Sequence, residues 1–186
     1  MPTVRLRRID AGVRLYRIHR TGHDPIYFGP DGETPLSRYD SPDGSYKVLY
    51  AARTLETAFG ETLVRAPATP HVLSTMVEAR VRSELVTTRP LRLYPLLDAG
   101  VSAHGLSFTD LHGIDYVRSW AVCAEIHATT AADGILYTSR FDNRRCVALF
   151  DRAAAAIEAG PVSRVSISPS EAAALAGHFG KIYVEP

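Results

Sequence analysis

Apolar and polar positions change rhythm several times along the chain, and each change marks an element. Val13 to Arg20 alternates with period two and predicts a strand, with Val13, Leu15 and Arg17 on one face and Tyr16 and Ile18 on the other. Both faces carry apolar residues, so Arg17 points where an apolar side chain is expected and needs a carboxylate or a bound anion as partner. Thr21 to Gly44 is rich in Gly, Pro and Asp and predicts a long loop of the kind that covers a ligand. Its aromatics, Tyr27 and Phe28, serve as lid or as anchor, anchoring being the commoner role. Tyr46 to Ala52 is apolar on both faces apart from Lys47, as a central strand is. Thr54 then caps a helix whose buried stripe is Leu55, Ala58, Phe59 and Thr62, with Glu61 at the stripe's edge. Pro67 and Pro70 end it.

Three strands follow, over His71 to Val81, Leu85 to Thr88 and Leu91 to Leu96. Ala99 to Gly113 is mixed, with a short helix near Ser107 to Leu111. Asp115 to Thr130 reads as a helix with the stripe Val117, Trp120, Ala121 and Ala124, in which Trp120 is core. Asp133-Gly134 breaks the chain before a hairpin: strand Ile135 to Ser139, turn Arg140 to Arg145, strand Cys146 to Phe150. Ser139 therefore stands exposed and firmly held at a strand end, although a turn serine often just bonds its own backbone. Ala153 to Ala159 is an alanine-rich helix and Arg164 to Ser168 a strand. Ser168-Pro169-Ser170-Glu171 forms a capping box for a last helix to His178, and Lys181 to Val184 closes as a strand. Many short strands with scattered helices give an α+β fold rather than a regular βαβ alternation.

Length and composition narrow this without redirecting it. The 186 residues suit one domain. A net charge of +1 argues against direct nucleic-acid binding, which needs a basic excess. The Arg5, Arg7, Arg8 cluster and the Arg144-Arg145 pair read as solvated surface. Cys123 and Cys146 form no Cys-x-x-Cys pattern and fit a reduced chain. His104 and His112 are too far apart for a helical metal pair and read as loop histidines, so no metal is expected. The N-terminus lacks a signal-peptide apolar core, and no apolar run approaches the roughly 20 residues of a membrane span. A cytoplasmic protein is expected.

Turn, strand, connection and helix bring Arg38, Tyr50 and Glu61 towards one cleft. A guanidinium, a phenol and a carboxylate suit a ligand with anionic phosphates, a flat aromatic group and a bond that breaks with positive charge growing on a sugar. Four segments support a resemblance: LYRIHR with Tyr16 and Arg17, SRYDSPDG with Arg38, VLYAARTLETAFGETL with Tyr50 and Glu61, and GILYTSRF with Ser139. In order and spacing they resemble the RES-domain family, toxin halves of bacterial toxin–antitoxin pairs. The resemblance implies a split sheet like that of ADP-ribosyltransferases, with flanking helices and a dinucleotide cleft. It also implies NAD as substrate and a cognate antitoxin as partner. Carried onto this chain, it makes Glu61, Arg38 and Ser139 catalytic, and Arg17, Tyr16, Tyr50 and Arg38 NAD-binding. Three functions are then expected in turn: an NAD-cleaving toxin, a mono-ADP-ribosyltransferase acting on a protein, and a binding module without activity. The residues do not choose water, phosphate or a protein side chain as acceptor.

Overall fold

The strand expected over Tyr46 to Ala52 lies in the middle of the sheet, and the rest of the fold is arranged on its two sides. The computed structural model describes residues 4–32, 34–66, 68–113 and 115–185. Strands β1 (Arg7–Ile9), β2 (Arg14–Arg20) and β3 (Val48–Ala52) precede helix α1 (Leu55–Leu63). Next come β4 (His71–Leu73), α2 (Ser74–Glu78), β5 (Arg80–Thr87) and β6 (Leu91–Pro95). Helices α3 (Ala99–Ala103), α4 (Phe108–His112) and α5 (Val117–Thr129) lead to the hairpin β7 (Gly134–Thr138) and β8 (Arg145–Phe150). A 3-10 segment (Asp151–Ala156), β9 (Ile157–Ala159), β10 (Val165–Ser166), α6 (Pro169–His178) and β11 (Ile182–Val184) complete the chain. The main sheet runs β1-β6-β7-β8-β3-β2-β5-β10, with β9 also on β5, and only β6–β7 is parallel. β4 and β11 form a separate parallel pair.

Period-two alternation sorts the core into two layers. Cys146, Ala148 and Phe150 of β8 and Val48 and Ala52 of β3 face the layer holding Phe59 of α1, Ile126 of α5 and Leu175 of α6. Val147, Leu149, Leu49 and Leu15 face the other layer, closed by Ala153 and Ala156 of the 3-10 segment. Phe28 packs against this second layer, so it anchors the long loop. Fully burying a side chain such as Phe59 contributes about 1.5–3 kcal/mol.

Four expectations need correction. His71 to Val81 is not one strand: β4 and β5 belong to different sheets, and the chain turns through α2, burying Val77, to pass between them. Ala153 to Ala159 is not an α-helix. Ala153 and Ala156, three apart, are both fully buried, which suits three residues per turn, and Ile157 goes on to pair with Thr87. The buried stripe of α5 is Ser119, Cys123 and Ile126, and Val117 is 62% exposed. Two of those residues satisfy their polar atoms locally, Ser119 Oγ on the Asp110 carbonyl and Cys123 Sγ on the Tyr39 carbonyl. His104 is packed rather than loop-exposed, its Nε2 sharing a 2.8 Å hydrogen bond with the Tyr94 hydroxyl. Helix α1 stops at Leu63, before Pro70, and Pro67 lies outside the described residues.

Candidate active site

Strand β2 pairs with β5 along its whole length, from Arg14↔Val86 to Arg20↔Arg80. With β3 it shares the single register pair Tyr16↔Ala52. Beyond that pair the strands part, and the backbone of Gly29 takes the place opposite Val48. This is the split in the sheet. A cavity of about 280 Å³ opens there, lined by residues 16–20 of β2 on one side and 50–52 of β3 on the other.

Helix α1 delivers Glu61 to this cavity. Thr54 caps the helix by accepting the Thr57 amide, and the Thr57 hydroxyl donates to Asp142 Oδ2 at 2.7 Å, tying the helix start to the β7–β8 turn. Gly60 lets the same helix press against α6: an added Cβ would lie 2.6 Å from Cζ of Phe179. Glu61 lines the cavity, and its Oε1 is buried without a hydrogen-bond partner.

Arg38 is held by a knot in the long loop. Asp40 Oδ2 accepts the amides of Leu36 (2.9 Å) and Ser37 (2.7 Å). Asp40 Oδ1 accepts the Tyr50 hydroxyl at 2.8 Å, and that hydroxyl accepts the Tyr39 amide at 2.9 Å. Trp120 Nε1 donates to the Ser37 carbonyl at 2.9 Å. Tyr50 therefore fixes the loop through its hydroxyl while its ring lines the cavity. Burial raises the Asp40 carboxyl above the usual range, partly offset by these donors. The Arg38 side chain is only 7% exposed, its guanidinium 5.8 Å from the Tyr39 ring centroid and 5.9 Å from that of Tyr116. Burial opposes its charge, but Tyr39, Tyr137 and Glu61 outweigh burial and keep it protonated. Its Nε is buried without a hydrogen-bond partner, so an anchored cation and a carboxylate face one space, each with an unmet polar atom.

Tyr16 and Arg17 also line the cavity. The partner of Arg17 is neither a carboxylate nor an anion: Nη1 donates to the Pro25 carbonyl at 2.7 Å, and burial lowers its pKa to about 10. Ser139 is fully buried rather than exposed and does not line the cavity. Its Oγ accepts the Phe141 amide at 3.1 Å, because a serine at the head of this turn bonds its own backbone. The turn it shapes carries Arg140 and Phe141 to the cavity wall. A second, more open cavity continues from there, sharing Arg65, Arg140 and Phe141 and adding His112, His178 and Phe179.

Several site residues escaped the sequence reading. Asp40 had a signal: an acid three residues after Ser37 in a turn commonly gathers backbone amides. Tyr137 alternates with Ile135 and so faces the helix side of the sheet. Nothing local marks Tyr116, which reaches Arg38 only through the packing of α5. Among the described residues no cluster of three metal-binding side chains exists, and no helix is long and apolar enough to cross a membrane.

A split α+β sheet with a carboxylate and a caged arginine in the split defines the class. Residues 14–170 match the RES domain family, and the chain belongs to it. It also resembles the toxin chain of the M. tuberculosis MbcT–MbcA toxin–antitoxin complex, with a TM-score of 0.74 at 18% identity, covering 91% of this chain and 92% of that one. No curated protein matches the sequence.

Proposed function

We propose that the chain is an NAD-cleaving enzyme acting as the toxin of a toxin–antitoxin pair, its cleft closed by a cognate antitoxin. The observation that carries this reading is the buried Glu61 Oε1 without a partner, in a residue that lines the same cavity as Arg38. A buried oxygen left unpaired costs roughly 1–3 kcal/mol, and ribose hydroxyls are donors that would satisfy it. The family resemblance supplies NAD, and the structural likeness to a toxin–antitoxin complex supports the partner.

In this reading the bond between ribose C1′ and the nicotinamide nitrogen breaks, and its electron pair leaves with neutral nicotinamide. Positive charge develops on C1′ and the ring oxygen, where the Glu61 carboxylate stabilises it. Tyr16 and the ring of Tyr50 form the flat wall for nicotinamide. Arg38, fixed between Tyr39 and Tyr116, positions the reacting end of the substrate above Glu61 through its N–H donors. An acceptor oxygen then attacks C1′ and loses its proton. Water, phosphate and a protein side chain all satisfy that step. Ser139 shapes the turn that carries Arg140 and Phe141 to the cavity wall.

Purified protein incubated with NAD tests this by chromatography of the products, with and without phosphate. Free nicotinamide is expected. Glu61→Gln removes the charge but not the shape, and lowers turnover by about 100-fold or more, the order seen when one transition-state charge partner is lost. Full turnover in that variant, with an unchanged melting temperature, excludes Glu61 from the chemistry.

A further inference from the structure

We propose that Arg20, Arg65 and Arg80 form a diphosphate-binding site at the mouth of the cavity, distinct from the caged Arg38. The identity of the diphosphate as part of a dinucleotide rests on the reading above, whereas the anion site itself does not.

Arg20 and Arg80 are directly opposite each other in the β2–β5 ladder. Opposed residues of an antiparallel pair project from the same face, and like charges there are destabilising. An anion bound between the two guanidinium groups would offset it. Both side chains line the cavity, and Arg65 joins them, four residues past Glu61. Arg65 borders the second cavity as well, where the cleft opens outward, and Arg20 is exposed at the end of β2.

None of the three has an ion pair among the described residues. Some arginines do have one, such as Arg82 with Glu171 at 3.0 Å, Arg89 with Asp133 at 2.7 Å and Arg118 with Asp110 at 3.0 Å, and what sets these three apart from the other unpaired arginines is that they line one cavity together. Arg80 instead donates Nη1 to the carbonyl of its own neighbour, Ala79. Burial, first, and then the charges of Arg20 and Arg65 lower its proton affinity, as expected for cations gathered close together, although Arg65 also feels the carboxylate of Asp40. Guanidinium forks match phosphate oxygens in pairs, so three of them suit two linked phosphates better than one. A ligand whose sugar lies against Glu61 would then extend its phosphates outward to the arginines.

Isothermal calorimetry on the whole chain decides it, with ADP-ribose, inorganic pyrophosphate, orthophosphate and nicotinamide riboside as probes. Wild type binds ADP-ribose and pyrophosphate, and more weakly at higher salt. The Arg20→Gln/Arg80→Gln double variant and Arg65→Gln each lose at least about tenfold for both probes, as charged hydrogen bonds disappear. Nicotinamide riboside, which has no phosphate, keeps its affinity within about twofold. The ligand-free double variant melts at the same or a higher temperature, because removing opposed charges relieves repulsion. That last readout separates a ligand site from a structural role. Unchanged pyrophosphate affinity in both variants, or a lowered melting temperature in both, overturns the proposal. Orthophosphate binding as tightly as pyrophosphate and ADP-ribose also overturns it, by showing a single-phosphate site. Pyrophosphate binding that depends on the arginines, in a protein that binds no ADP-ribose, keeps the anion site and removes the dinucleotide reading.

Discussion

Arg38 and Arg20 border the same cavity, yet the fold treats them in opposite ways. Around Arg38 it gathers two tyrosine rings, a buried aspartate and a tryptophan N–H that fastens the adjoining carbonyl. Around Arg20 it supplies no counter-charge among the described residues and sets Arg80 opposite. A caged guanidinium has one geometry and suits a reaction in which position matters. An uncaged group of cations keeps its freedom and suits capture, where charge matters more than angle. One ligand long enough to reach both would meet two kinds of arginine in one cleft.

Arg38→Lys should produce the largest effect on this contrast. An ammonium keeps the charge but cannot fill the space between Tyr39 and Tyr116 as a flat fork does. NAD turnover is expected to fall by about 100-fold, while pyrophosphate affinity stays within about twofold of wild type. Steady-state kinetics and calorimetry on the same sample measure both. A loss of pyrophosphate affinity as large as the loss of turnover would merge the two arginine groups into one site.

Tyr50→Phe comes next and attacks the cage from behind. It strips a donor from Asp40 Oδ1 and an acceptor from the Tyr39 amide. Each buried polar group left unsatisfied costs roughly 1–3 kcal/mol. Urea unfolding should show a loss of that order with an unchanged slope, and turnover should fall with it as Arg38 loosens. A variant as stable as wild type would mean that the knot around Asp40 is not what holds the loop.

The same contrast shows what could be read in the chain beforehand. Strand β3 was legible because both its faces are apolar, and α1 because Thr54 and the Ala58–Phe59 stripe mark it. Arg38, Tyr50 and Glu61 were legible as a group because they lie within one turn–strand–helix unit, where local spacing fixes their approach. Arg80 and Tyr116 were not, since β5 and α5 bring them from far along the chain. Ser139 misled because strand-end position predicts anchorage, and anchorage here means burial. The α5 stripe was misread because Ser119 and Cys123 look polar or small, yet find carbonyl partners inside.

The smallest effect concerns acidity. His19, His104, His112 and His127 all have lowered pKa values, burial being the first cause for each. In His112 the charges of Arg38 and Arg140 add to burial, and in His19 that of Arg17 does. An unfolded histidine takes its proton near pH 6.5, whereas these folded ones do so only at lower pH. Below that value the unfolded chain binds more protons than the folded one, so stability falls as pH drops. Asp133, held below the usual carboxylate range by Arg89 and the Arg92 amide despite burial, loses its contribution only in a separate, more acidic window below 3.8. A melting series between pH 7.5 and 5 should therefore decline, at about 2–4 °C for each kcal/mol lost in a domain of this size. His104→Gln, which retains a partner for the Tyr94 hydroxyl, should flatten part of that decline. A pH dependence that His104→Gln leaves unchanged would mean that this ring gains its proton in the folded state as readily as in the unfolded chain, whereas a flat series alone would not, because the raised Asp40 carboxyl works in the opposite direction. Adding pyrophosphate sharpens the test, because an anion beside Arg20 and Arg80 should ease protonation of His19, which lines the same cavity, more than that of the distant His127.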